Sequence, residues 1–136
     1  MVAKAKQSKA AQKAHAVLTN RMADAQQVLG PTLTATLKIQ AALVSQFMQI
    51  QGFWESDNTG EKIALMHSEL SEALEADRKN LDAGHIPGFT GVEEELADVI
   101  IRILDFAGHH QLRLGEALSA KIAYNLTRPF KHGKAY

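Results

Sequence analysis

Apolar residues recur along this chain at helical spacing, and Gly and Pro fall mostly where those patterns stop. Leu37, Leu43, Val44, Phe47 and Ile50 share one side of a stretch from Thr34 to Gln51, which Gly52 closes. A weaker pattern of Val17, Met22 and Leu29 predicts a helix over 13–29, halted by Gly30 and Pro31. Residues 1–12 carry Lys, Ala and Gln with few large apolar side chains and read as frayed or disordered. Asn58 or Thr59 can cap a third helix, running to about Leu81 with Ile63, Met66, Leu70, Ala73 and Leu74 as its core stripe. Gly and Pro content makes Ala83 to Gly91 a loop. Thr90 or Gly91 then precedes Glu93, Glu94 and Glu95, acids suited to the positive end of a helix dipole, and that helix continues to about His110. A last helix spans Gly115 to Leu126, with Pro129 as its stop. No strand pattern and no internal repeat is present. The expected fold class is all-α: an antiparallel helical bundle that oligomerises to bury its remaining apolar faces.

Composition narrows the function. A chain of 136 residues, 46% hydrophobic and 22% charged, suits one compact domain with an ordinary polar surface. Fifteen basic and 15 acidic side chains leave a formal net charge of zero, so nucleic acid is not the expected partner. A small anionic ligand needs only a local basic cluster and stays open. The lack of cysteine excludes disulfides, thiolate chemistry and Cys-based metal sites. No apolar run approaches the roughly 20 residues of a membrane span. The first residues have the charges of a signal peptide without the apolar core behind them, so the expected location is cytoplasmic.

The candidate chemistry lies in four acids. Around the third helix, Glu69 projects on the side of the apolar sector, beside Leu65, Ala73 and Ala76, and Glu72 sits at that sector's edge. On the next helix, apolar residues from Val92 to Ala107 cover well over half the circumference. They leave a narrow stripe of Glu94, Glu95, Asp98, Arg102 and Asp105. Each helix thus carries two acids three residues apart on one face. Ionised carboxylates near a core cost several kcal/mol unless paired or metal-bound, and carboxylate oxygens are the ligands that Mg²⁺ and Mn²⁺ prefer. The bland reading is a solvated face, with Asp98 and Arg102 as an i, i+4 ion pair. Two such pairs, each beside an apolar sector, favour the metal. A carboxylate-bridged di-iron bundle would want Glu-x-x-His pairs, but Glu69 is followed at that spacing by Glu72 and Glu95 by Asp98.

The stretch Glu61-Lys-Ile-Ala-Leu-Met-His-Ser-Glu69-Leu-Ser-Glu72, followed by Glu94-Glu95-Leu-Ala-Asp98, resembles the ExxE…ExxD signature of the MazG-like all-α nucleoside triphosphate pyrophosphohydrolases. Lys121-Ile-Ala-Tyr-Asn125-Leu-Thr-Arg128-Pro-Phe-Lys131-His-Gly-Lys134 is similar to the basic tail of small bacterial and phage members. The resemblance covers roughly Thr34 to Tyr136. It divides the chain into an N-terminal extension, 1–30, partly disordered or helical, and a helical catalytic domain, 31–136. Some relatives carry a further acid just before the first Glu of ExxE, where this chain has Ser68. Any role of that acid as base must fall elsewhere here.

The resemblance implies a homodimer or homotetramer that converts a (d)NTP and water to a (d)NMP and pyrophosphate, with deoxynucleotides and dGTP in particular as the leading substrate. Glu69, Glu72, Glu95 and Asp98 would hold Mg²⁺, with Mn²⁺ able to substitute, and Glu69 or Glu72 would accept the proton of the attacking water. Lys121, Asn125, Arg128, Lys131 and Lys134 are the candidate phosphate and sugar contacts, the tail folding over the phosphates. Trp54 is the candidate for stacking a base. His109 and His110 lack ligand spacing with the acids and receive no role. The rival from another class is a non-enzymatic helical oligomerisation or interaction module, which leaves the half-buried acids unexplained.

Overall fold

The computed structural model describes residues 9–128 and is all-helical, with no strand among the described residues. The helices are α1 (Lys9–Ile50), α2 (Thr59–Lys79), α3 (Gly91–His109) and α4 (Leu114–Leu126). They divide into two compact units. Of the described residues, one contains 9–36 together with 113–128, and the other is Leu37–Leu112.

In the first unit the expected helix stop at Gly30-Pro31 is overturned, because α1 runs straight through both residues. Pro31 has no N–H for the carbonyl of Gln27, a loss that costs about 3 kcal/mol in a helix interior. Packing against α4 offsets it. Gly30 is buried, and a Cβ on Gly115 would come within 2.7 Å of the Thr34 Cα, so the two helices meet backbone to backbone. The Thr34 and Ser119 hydroxyls are 3.3 Å apart across this contact. The helix also already includes residues 9–12, which the sequence reading left frayed or disordered.

In the second unit, α2 and α3 form an antiparallel hairpin. Asn58 caps α2 by accepting from the Glu61 N–H at 3.2 Å. Asn80 ends it in a left-handed conformation, an αL position that Asn tolerates. Thr90 and Glu93 make a reciprocal capping box at the start of α3. Glu94 folds back and accepts from the backbone N–H groups of Gly84 and His85 at 2.7 and 3.0 Å, which anchors the connecting loop. Gly91 is needed where the hairpin is tightest, since a Cβ there would lie 3.0 Å from that of Ala76. Where α3 crosses the end of α1, a Cβ on Gly108 would collide with the Ala41 carbonyl and the Ser45 side chain.

The core is built from small side chains. Ala41, Ala73, Ala76, Ala107 and Leu104 are its buried apolar residues, with Ser45 beside them. The predicted core stripe of α2 is therefore corrected: Ala73 is buried, whereas Ile63, Leu70 and Leu74 are exposed within the single chain. Leu43, Phe47 and Ile50 of α1 and Leu96 and Ile100 of α3 are exposed as well, so α3 is less buried than its composition suggests. Ala, Gly and Ser bring the backbones close enough that the large side chains fall outside the contact.

Candidate metal centre

The hairpin register brings the acids together. Ala76 lies level with Gly91. Because the helices run in opposite directions, Glu72 and Glu95 stand four residues on from that level, and Glu69 and Asp98 three further. Two i, i+3 pairs thus face each other across the hairpin on two successive levels. Glu69, Glu95 and Asp98 each offer an oxygen within 4.8 Å of the others. Glu72 is exposed, yet its charge acts on Glu95.

The electrostatics follow from the crowding. Glu95 is pushed above the usual carboxylate range first by burial. The charge of Glu72, a hydrogen bond to Glu69, and the charges of Glu69 and Asp98 push it further. Burial and Glu69 likewise raise Asp98, against the opposing pull of Arg102. Glu69, only 6% exposed, is the deepest of the four. It accepts from Nε of Arg102 at 2.5 Å, and Nη2 of the same guanidinium is ion-paired with it at 2.5 Å. Arg102 therefore reaches across the hairpin to Glu69, which replaces the i, i+4 pairing with Asp98 that its spacing suggests. The hairpin register supplies this partner, which helix spacing alone does not show.

Asp98 and Arg102 also belong to the wall of a cavity of about 160 Å³, shared with Met48, Phe53, Lys62 and Asp105. Asp105 is buried and accepts from the Trp54 indole N–H at 2.8 Å. Trp54 is stacked on His109, ring centroids 3.5 Å apart and nearly parallel, with the Lys62 ammonium 4.6 Å from its ring. The indole proposed for base stacking already has a partner on one face.

None of the family models, curated proteins or solved structures compared with this chain matches it.

The remaining candidates belong to the first unit or lie beyond it. Lys121 and Asn125 sit one turn apart on α4, and Arg128 follows its end. Lys121 and Arg128 both lie over the Tyr124 ring, at 5.0 and 6.0 Å from its centroid. Lys131 and Lys134 are outside the described residues. No helix among the described residues is long and apolar enough to cross a membrane.

Proposed function

We propose that this chain is a Mg²⁺-dependent nucleoside triphosphate pyrophosphohydrolase of the MazG-like type, releasing pyrophosphate from a (d)NTP and leaving the monophosphate. The observation that carries the reading is the convergence of Glu69, Glu95 and Asp98 oxygens within 4.8 Å across an antiparallel hairpin, with Glu72 alongside. The donor set fits the metal: all ligands are hard carboxylate oxygens, and their mutual repulsion is what a divalent cation relieves. Mn²⁺ fits the same donors.

Glu69, Glu72, Glu95 and Asp98 would hold the ion, which when bound lowers the pKa of water and neutralises phosphate oxygens. Arg102 holds the Glu69 carboxylate in place beside the cluster. Glu72 is exposed and has no hydrogen-bond or ion-pair partner among the described residues, which suits it to take the proton of the attacking water. The cavity beside Asp98 and Arg102, with Phe53 on its wall, offers an apolar surface for part of the nucleoside. Lys121, Asn125, Arg128, Lys131 and Lys134 remain the proposed phosphate and sugar contacts, and dGTP the leading substrate, on the sequence resemblance. The exposed Leu43, Phe47, Ile63, Leu70, Leu74 and Ile100 support assembly as a homodimer or homotetramer, because a surface so rich in large apolar groups ordinarily marks an interface.

A panel of ribo- and deoxynucleoside triphosphates, assayed for pyrophosphate with Mg²⁺ and after chelation, tests the reading. Metal-dependent release that Asp98→Ala abolishes in a folded protein is the expected result. Near-normal turnover by Asp98→Ala would remove the four-acid site.

A further inference from the structure

We propose that Asp57, His109 and His110 form a second metal site, separate from the acid cluster and selective for a transition-metal ion of the Zn²⁺ class over Mg²⁺. The proposal is independent of the pyrophosphohydrolase reading. His109 is the last residue of α3 and His110 its cap, with φ −85° and ψ 6°, so both imidazoles leave the helix where it ends. Each ring is clamped. Trp54 stacks on His109 and meets His110 edge-on, and Phe106 lies against His110 with centroids 4.3 Å apart. The two imidazoles themselves stand at right angles, 4.9 Å apart.

Among the described residues, this fixed arrangement leaves two buried nitrogens without a hydrogen-bond partner, Nδ1 of His109 and Nε2 of His110. Buried polar atoms are rarely left so, because they forfeit water and gain nothing in return. Asp57 Oδ1, on the segment leading into α2, is 3.7 Å from His110 Nε2. That is too long for a hydrogen bond but near the roughly 3.3 Å between ligands of a tetrahedral ion with bonds of about 2.0–2.1 Å. One ligand atom from each of the three residues lies within 4.8 Å of the others, and the exposed Asp57 side chain is free to close the remaining gap. A plain His–Asp ion pair would occupy His110 alone and leave Nδ1 of His109 orphaned. Imidazole nitrogens select Zn²⁺, Ni²⁺ or Cu²⁺ over Mg²⁺, and three protein ligands leave a fourth position for water. An ion here would tie the α1–α2 connection, with Trp54 on it, to the end of α3.

The chain reports on this site itself, because its one tryptophan is stacked on His109. Titrating the full chain with Ni²⁺ should quench Trp54 emission saturably at micromolar concentration. Zn²⁺ should compete, and millimolar Mg²⁺ should not. Asp57→Asn, on an exposed segment, and His110→Gln, checked for helix content by circular dichroism, should each weaken Ni²⁺ binding about tenfold or more, while Asp98→Asn leaves it unchanged. Quenching that is absent or unsaturable, that survives Asp57→Asn, or that follows Asp98→Asn would overturn the proposal.

Discussion

Replacing Arg102 by Met keeps most of the apolar stem and removes the charge that holds Glu69. Glu69 is 8% exposed at its side chain, and Arg102 is its only ion-pair partner among the described residues. Breaking a fully buried pair costs 3–5 kcal/mol, roughly. The Arg102 side chain is 35% exposed, so solvent screens part of this, and about 2 kcal/mol is the expected loss. For a chain of this length that corresponds to a melting temperature lower by roughly 8 °C in metal-free buffer. Thermal unfolding followed by circular dichroism, with a chelator and then with saturating Mg²⁺, measures it. Mg²⁺ should recover much of the loss, because it restores positive charge beside the same carboxylate. A variant as stable as the parent without metal, or equally destabilised with and without it, would refute the reasoning.

The same crowding sets a pH dependence. Glu95 and Asp98 are raised in the folded chain above their ordinary 4.5 and 3.8, so the folded state holds their protons more tightly than the unfolded state. Metal-free protein should therefore gain stability as pH falls from neutral through the raised values, until the ordinary ones are reached. Below that, Glu75, Glu93 and Glu94, all lowered in the fold, reverse the trend as they protonate. Denaturant midpoints measured across this range should show the gain, and saturating Mg²⁺ or Asp98→Asn should flatten it. Gly108→Ala should cost about 1–3 kcal/mol by chemical denaturation, because its Cβ meets the Ala41 backbone rather than a side chain that can move.

The starts of α2 and α3 were legible because Asn58, Thr90 and Glu93 act locally, within one turn of chain. The convergence of Glu69, Glu95 and Asp98 was legible because two i, i+3 pairs separated by a short loop meet when the helices pair antiparallel. Pro31 misled because its local cost is certain, whereas the packing of Gly30, Thr34 and Gly115 that outweighs it comes from residues far along the chain. Hydrophobicity also misplaced the core. A periodic stripe cannot distinguish contacts made by Ala73, Ala76 and Gly91 from those of the larger Leu70 and Leu74, and here close backbone approach decides. The partners of Arg102 and His109 escaped the sequence for a related reason: Glu69 and Trp54 lie 33 and 55 positions away, and only the folded register reveals them.

Isotope transfer tests the proposed hydrolysis at the α-phosphorus by the four-acid centre. Incubating the chain with dGTP and Mg²⁺ in water enriched in heavy oxygen, then weighing the products by mass spectrometry, identifies the phosphorus attacked. The account predicts one heavy oxygen in dGMP, unlabelled pyrophosphate, and no reaction from Asp98→Ala. Heavy oxygen in free orthophosphate, or no pyrophosphate from any nucleoside triphosphate with Mg²⁺ or Mn²⁺, would contradict it.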